Sequence, residues 1–375
     1  MSARIKVGVS VLLTIDYIQM TSYLNRISGR IVHPETTLIQ CLKTMDDEKT
    51  KLLFVFNDKD SFIGLLTIGD IQRAIIRNIS LTAQIETILD TDKIFGKENE
   101  SLETLKNTMI RERLECLPIL KSNGEMTDVL FWEDVFPDKE IQVRDKINLP
   151  VVIMAGGEGT RLRPLTHILP KPLIPIGEKT IMEVIMEQFQ SIGCSKFYVS
   201  VNYKAELIEY YLSHNIPSFD ISFFKENRPL GTIGSVSLLK GKIDTPFFVT
   251  NCDIMVDQDF RDVYEYHVNN HNDITIVAAI KSYQIPYGVI ETADNGILMQ
   301  LTEKPKMNLM VNTGVYVLNP ELIAEIPSDC MFHMTDLMEK IRKRGGQIGC
   351  FPVSEKSWKD IGEWDEYLKT IRLHE

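Results

Sequence analysis

No stretch of this 375-residue chain approaches the eighteen or so consecutive apolar residues of a membrane-spanning helix, so a bilayer is not an expected partner. Cysteines are few: the six, at 41, 116, 194, 252, 330 and 350, include no C-x-x-C pair. That scatter argues against a disulfide frame or a zinc site and points to reduced thiols in a cytoplasmic protein. Positive charge is also in deficit, with 41 Lys and Arg against 52 Asp and Glu and a net charge of −11. A polynucleotide backbone needs a basic face, so nucleic acid is excluded as a partner. A mononucleotide is not, because a few local cations or Mg²⁺ can neutralise it. The start of the chain, with Arg4, Lys6 and the apolar run Val7–Ile15, imitates a signal peptide. Asp16 follows at once with no small-residue cleavage site, so residues 1–20 read as an extension instead. Both common phosphate fingerprints are missing: G-x-G-x-x-G would need glycine where Leu162 stands, and G-x-x-x-x-G-K-[ST] does not occur.

What is present is an ordinary globular composition, 44% hydrophobic and 25% charged, in a length that suits two or three domains. The stretch around which the rest is organised is Met154 to Pro172, MAGGEGTRLRPLTHILPKP. The apolar run Leu149–Met154 before it reads as a short buried strand. Gly156, Gly157 and Gly159 let the backbone bend sharply and bring its N–H groups close to a ligand, while Arg161, Arg163 and Lys171 add positive charge. A Gly-rich turn after a strand, followed by fixed cations, suits a polyphosphate.

Two weakly similar halves precede it, between Leu24 and about Phe136. In the first, Leu38, Cys41, Leu42 and Met45 have helical spacing, Leu52–Phe56 and Phe62–Thr67 read as strands, and Ile68–Ile76 as a helix. The second repeats this order with a helix around Leu102–Ile110, strands at Cys116–Leu120 and Asp128–Phe131, and Glu133–Phe136. From Leu149 strands and helices alternate. Thr180-x-x-Glu183 has the form of a capping box, followed by an apolar stripe through Ile181, Val184, Ile185 and Phe189 that ends at Gly193. Strands at Phe197–Val201 and Ile221–Phe224, helices at Ala205–Leu212 and from Thr232, and a strand at Phe247–Thr250 delivering Asp253 complete the pattern. Such alternation predicts a mainly parallel sheet covered by helices, with ligands at strand C-terminal ends.

The central stretch resembles the signature of the sugar-1-phosphate nucleotidylyltransferases, G-x-G-T-R-L-x-P-L-T followed by P-K-P: Gly157, Gly159, Thr160, Arg161, Leu162, Pro164, Leu165, Thr166, Pro170, Lys171 and Pro172 all stand in place. The resemblance covers about Leu149 to Ile371 and implies a Rossmann-like, mainly parallel α/β domain over 148–375. It implies attack of a sugar-1-phosphate oxygen on the α-phosphorus of an NTP, with Ala155, Gly156, Gly157, Gly159, Thr160 and Gly231 at the nucleotide. Arg161 and Lys171 would grip the phosphates, and Asp253 with Asp360, in WKDIG, would hold Mg²⁺. At the sugar end it implies Gly288 of YGVIE, Glu303 and Lys304 of EKP, and Asn312 and Thr313 of NTGVY. The family reads the base just before the Leu230-Gly231-Thr232 turn, where this chain has Glu226. A carboxylate accepts from the paired N1–H and N2–H₂ of guanine and repels the acceptors of uracil and thymine. That residue and the VNYKAELIEYYL texture resemble the GDP-mannose pyrophosphorylase branch, so GTP is the expected donor. The acceptor is left among glucosamine, mannose and heptose 1-phosphates, with glucosamine favoured by the domain arrangement.

The N-terminal halves, over 20–79 and 80–143, resemble a tandem α+β CBS pair, chiefly through GLLTIGDI. That family implies a regulatory adenine nucleotide on Thr67 and Asp70, with Arg73 adding charge. In the second half Phe131 replaces the Thr although Asp134 remains, so one occupied site per chain is expected. The connection Asp138–Asn148 is short and charged, and a homo-oligomer is expected. The rival reading, a catalytically dead transferase fold that senses nucleotide, would be favoured by lost cations or carboxylates, but Lys171, Asp253, Lys304 and Asp360 are all present.

Overall fold

The computed structural model describes residues 23–90, 93–112, 114–136, 146–216 and 219–372. Residues 1–20, and 138–145 of the connection, lie outside the described residues. The chain divides between 144 and 145 into two compact units.

The first unit builds one motif twice. Strand β1 (Ile31–Val32), helix α1 (Leu38–Asp47), β2 (Leu52–Phe56), β3 (Phe62–Thr67) and α2 (Ile68–Ile76) are followed by β4 (Gly96–Lys97), α3 (Leu102–Glu112), β5 (Cys116–Leu120), β6 (Met126–Phe131) and α4 (Trp132–Val135). In each half the first strand pairs parallel with the second and the second antiparallel with the third. Helix α1 buries Leu38, Cys41, Leu42 and Met45, the four apolar positions of its stripe. Phe54, Phe62 and Leu65 from the first half share one apolar core with Cys116, Val129 and Phe131 from the second.

The second unit is a seven-stranded sheet between helices. Its elements are β7 (Val151–Met154), the β8 (Pro175–Ile176)–β9 (Lys179–Thr180) hairpin, α5 (Ile181–Ser191), β10 (Lys196–Val201), α6 (Ala205–Asn215), β11 (Asp220–Lys225), β12 (Phe247–Asn251), β13 (Ile254–Val256), α7 (Phe260–Asn269), β14 (Ile274–Gln284), β15 (Val289–Thr292), β16 (Leu298–Thr302), β17 (Lys306–Leu318), α8 (Met334–Lys343), β18 (Ile348–Ser354), β19 (Trp358–Asp360) and α9 (Trp364–Arg372). The sheet runs β11-β10-β7-β12-β17-β14-β18, and only β17 is antiparallel to its neighbours. Successive side chains of a strand face opposite ways, so Val151 and Ile153 join one core with Phe189 and Phe260, while Val152 joins the other with Val249 and Leu337. Burial on both faces is why these strands read as unbroken apolar runs.

From β7 the chain builds outward through β10 and β11, then returns to place β12 on the other side of β7. The crevice beyond such a reversal is where doubly wound sheets bind ligands. One expected element is corrected. No α-helix starts at Thr232; a 3₁₀ turn covers Gly234–Leu239. The N–H groups of Ile233 and Gly234 both donate to Phe332 O, and Met334 N donates to the Thr232 hydroxyl, so a tertiary loop takes the groups a helix start would use.

Candidate functional site

The Gly-rich loop leaves β7 with Ala155 still tied to the sheet through Ser200 O, 3.0 Å away. Gly159 adopts a left-handed conformation with φ of 64°, and a Cβ there would lie 2.8 Å from Thr166 Cγ2. A 3₁₀ turn over Thr160–Leu162 then buries Leu162 and turns Arg161 outward. Lys171 begins another such turn, Lys171–Leu173.

Asp253 follows the end of β12, the strand next to β7. Asp360 reaches it through a ribbon of two distant segments: β13 pairs antiparallel with β19, Ile254 lies opposite Asp360, and Ile361 N donates to Asp253 O at 3.0 Å. Gly362 finishes the turn. A Cβ there would fall 2.6 Å from Asp253 Oδ2, 2.6 Å from Lys171 Nζ and 2.8 Å from Asp360 Oδ1, so both carboxylates and the ammonium converge on one point.

Lys171 Nζ donates to Asp253 Oδ2 in a pair that is almost wholly buried. The Arg161 guanidinium lies 4.0 Å from Asp253 and 3.7 Å from Asp360, and donates to Glu363. Trp364 Nε1 donates to Arg163 O at 3.0 Å, fastening the loop to the start of α9. Burial, then the Asp253 charge beside it, holds the Asp360 carboxyl above the usual carboxylate range despite the N–H of Gly362 and the two cations. Glu363 is the participant that sequence reasoning missed. It stands in the same WKDIGEW segment as Asp360, but its partner Arg161 is 202 residues away.

Glu226 sits beside the loop, buried, its Oε1 so close that a Cβ on Gly156 would meet it at 2.9 Å. The Ser200 hydroxyl donates to Oε1, with Ser235 Oγ 3.0 Å behind it, and Leu230 N donates to Oε2 at 3.1 Å. Each oxygen keeps capacity for one further donor. Gly231, at φ of 83°, bends the chain against Phe332, whose O would lie 2.6 Å from an added Cβ.

At the expected sugar end, Gly288 and Glu303 come together: a Cβ on Gly288 would meet Glu303 Oε2 at 2.9 Å. Lys304 holds a left-handed conformation, its N donating to Tyr287 O at 3.2 Å. Asn312 Nδ2 donates to Tyr316 Oη at 2.8 Å, and its Oδ1 accepts from Gly314 N at 3.0 Å. The Thr313 hydroxyl is turned into the sheet, donating to Val277 O at 2.8 Å. Gly314 packs on Asn251, where a Cβ would meet Nδ2 at 2.6 Å, which joins this segment to the Asp253 turn.

In the first unit Thr67 and Asp70 form the capping box of α2. Asp70 Oδ2 accepts from Thr67 N, the Thr67 hydroxyl and Lys93 Nζ at 2.7–2.8 Å, and Arg73 donates to Oδ1. Burial pushes this carboxyl up, but Lys93 and Thr67 outweigh it and hold the group below the usual carboxylate range. At the matching place in the second half, Arg26 stacks 4.5 Å over the Phe131 ring and pairs with Asp134 at 2.7 Å.

The nucleotidyl transferase family model matches residues 150–375, and the CBS domain model matches residues 27–77. Similar proteins include the mannose-1-phosphate guanyltransferases of Aspergillus oryzae, 31% identical over 238 residues, and of Yarrowia lipolytica, 36% identical over 231 residues. Each alignment covers 60% of this chain, and the chain spans 64% and 63% of those relatives' lengths. Among solved structures, HddC from Yersinia pseudotuberculosis is similar at 27% identity, over 60% of this chain and 100% of that one, with a TM-score of 0.48.

Proposed function

This chain belongs to the nucleotidyl transferase family, and from that premise we propose that it transfers GMP from GTP to a sugar-1-phosphate, releasing pyrophosphate. The observation that carries the reading is the convergence of Lys171, Arg161, Asp253 and Asp360 at the switch point of the sheet. A sugar-1-phosphate is already a nucleophile, so the protein needs no general base. Its task is to align two anions and neutralise them. An oxygen of the monoester bonds to the α-phosphorus as the bond to the departing pyrophosphate breaks, and the electron pair leaves with that pyrophosphate.

The two carboxylates that converge at Gly362 suit a hard divalent cation, and Asp253 and Asp360 would hold Mg²⁺. Two protein carboxylates are the number Mg²⁺ commonly takes when it also keeps water and substrate oxygens, and among the described residues no acidic, His or Cys group of three competes with them. When bound, such an ion neutralises phosphate charge and fixes the triphosphate geometry. Lys171 and Arg161 exchange carboxylate partners for phosphate oxygens as the substrates enter. The loop N–H groups from Gly156 to Thr160 cradle the phosphates, and Trp364 holds the loop in place from behind.

Glu226 supports guanine as the base, since its two oxygens have room for two parallel donors. The names of the guanyltransferase relatives support the same donor and favour mannose-1-phosphate as acceptor, while the CBS-plus-transferase arrangement favours glucosamine-1-phosphate. Gly288, Glu303, Lys304 and Asn312 are the proposed acceptor residues, with Thr313 holding the sheet beneath them. The first unit is proposed to bind a regulatory adenine nucleotide beside Asp70. Pyrophosphate release by the purified chain tests the catalytic reading, with four NTPs against mannose, glucosamine and heptose 1-phosphates. GTP with one of these sugars is expected to lead. Preference for UTP or dTTP overturns the base assignment, and no release with any pair overturns the enzyme.

A further inference from the structure

Five charged side chains meet at the transferase site, and they do not balance. Lys171 and Arg161 face Asp253, Asp360 and Glu363, two cations against three carboxylates. Lys171 is paired with Asp253, whereas all three carboxylates lie within 4.0 Å of the Arg161 guanidinium, and it is Glu363 that accepts its hydrogen bond. The two ends of that bond differ in freedom. Glu363 stands at the start of α9, where its O accepts from Tyr367 N at 2.9 Å, and Tyr367 is itself buried, its hydroxyl donating to Pro175 O at 3.2 Å. Arg161 also has a fixed backbone, since the next residue, Leu162, is fully buried and its N donates to Gly159 O at 3.0 Å, but the Arg161 side chain is 53% exposed. Trp364, next to Glu363, ties α9 to the loop through Arg163 O without using the ion pair. The guanidinium can therefore leave Glu363 by side-chain rotation alone, with loop and helix still joined.

Resting on the reading of Arg161 as a phosphate-gripping residue, we propose that Glu363 is a positioning residue that parks Arg161 between turnovers and thereby sets how tightly a polyphosphate is held. Asp253 and Asp360 are the carboxylates proposed for a divalent cation, and once so engaged they no longer compete for the guanidinium. Glu363 is then the one carboxylate of the three left to compete with phosphate oxygens, which bring more charge and accept from the guanidinium in the same forked geometry. An incoming triphosphate displaces Glu363 from Arg161. When pyrophosphate departs, Glu363 takes Arg161 back, so the same competition loosens the product. A carboxylate fixed at this place weakens substrate and product alike, and an amide, which carries no charge, does not.

The test is titration calorimetry of the full chain with inorganic tripolyphosphate, pyrophosphate and GTP, each with Mg²⁺. Tripolyphosphate carries neither base nor ribose, so it reads the phosphate grip alone. Glu363→Gln keeps the shape of a half-exposed side chain, and circular dichroism checks that its fold is intact. It is expected to bind all three ligands about 5-fold more tightly, the full worth of an exposed ion pair. In steady state the KM for GTP falls by the same factor while kcat does not rise, as when a competitor for the free site is removed. Asp365→Asn removes one negative charge from an exposed side chain in the first turn of the same helix, away from Arg161, and is expected to leave the three affinities at their wild-type values. Unchanged affinity in Glu363→Gln overturns the proposal, and weakened affinity overturns it in favour of a Glu363 that aims Arg161 at phosphate. An equal gain in Asp365→Asn overturns it in favour of bulk charge. If the wild type binds none of the three, this proposal and the nucleotide reading fall together. Tighter binding by Glu363→Gln with no pyrophosphate release from any NTP and sugar pair upholds the parking role and overturns only the transfer reaction.

Discussion

Lys171 and Asp253, 11% and 8% exposed at their side chains, each depend on the other to tolerate charge at that depth. Removing one partner of such a pair strands the other, at a cost of about 3–5 kcal/mol, whereas neutralising without shortening costs less. Lys171→Ala is therefore expected to lower the melting temperature markedly and abolish turnover. Asp253→Asn, which keeps shape while Lys171 retains Asp360 nearby, should stay folded and lose about 10²- to 10³-fold in kcat, the scale on which turnover falls when one preorganised polar group no longer stabilises transition-state charge. Calorimetric melting and pyrophosphate release separate the two effects, and wild-type release by either variant removes the pair from the site. Asp360 tests the same charge balance from the other side. Its carboxyl is raised by burial and by Asp253, so it favours the fold while protonated, and that contribution is lost as the pH rises through its folded value. At neutral pH, without divalent cations, Asp360→Asn should thus stabilise the chain by roughly 0.5–2 kcal/mol, as functional-site neutralisation commonly does, while activity falls. An unchanged or lower melting temperature contradicts this. For Glu226, replacement by Gln keeps an acceptor for Leu230 N but turns one of two acceptors into a donor. A loss of about 1–3 kcal/mol of guanine preference, seen as a 10- to 100-fold fall in kcat/KM for GTP relative to UTP, is expected, the scale of one bidentate base recognition.

Elements formed by local rules are legible in the sequence. Thr180 and Glu183 make the expected reciprocal cap of α5, with Thr180 N donating to Glu183 Oε2 at 2.6 Å. Thr180→Ala should cost about 1 kcal/mol and leave kcat unchanged, and a thermal melt that does not move counts against the cap. β2, β3, α2 and β5 fall where apolar runs and turn residues predict them, because both signals lie within a dozen residues. The β13–β19 ribbon has no such signal. Ile254–Val256 and Trp358–Asp360 are short, unremarkable segments more than a hundred residues apart, and only tertiary pairing reveals why Asp253 and Asp360 meet and how Glu363 reaches Arg161. The helix start suggested by Thr232 is absent for a related reason: N–H groups drawn to Phe332 override it. Thr67 and Asp70 show the converse limit. Their spacing fits a ligand motif and an N-cap alike, and the structure fills both side chains with the cap. Asp70, held low by Lys93 and Thr67, favours the fold above the unfolded carboxylate value of about 3.9 and loses that contribution as the pH falls through its lower folded value. Lys93→Met should accordingly move acid unfolding of the first unit to higher pH, followed by circular dichroism, and an unmoved midpoint would separate Lys93 from Asp70.

At the scale of the whole molecule, the question is whether the first unit informs the second. Its two halves share one core through Phe54, Phe62, Cys116 and Phe131, so a ligand held by either half acts on a single body. The halves are unequal. Phe131 is covered by Arg26 and offers no hydroxyl, whereas the first half gathers Arg73 and Lys93 around Asp70, cations that a phosphate could draw away from that carboxylate. One nucleotide per chain is therefore expected in titration calorimetry with AMP, ADP, ATP and GMP, and Lys93→Ala, which leaves the transferase residues untouched, should remove that binding. Binding regulates only if the nucleotide prefers one state of the chain over another, since equal affinity shifts nothing. A coupling of about 1–3 kcal/mol, usual for linked sites, would change substrate affinity at the transferase by roughly 5- to 150-fold. Initial rates of pyrophosphate release across a GTP series, with and without the bound nucleotide, read that change directly, and Lys93→Ala should make the two series coincide. If no nucleotide binds below millimolar concentration, or if wild-type rates ignore the one that does, the repeat unit is a scaffold and the transferase works without its instruction.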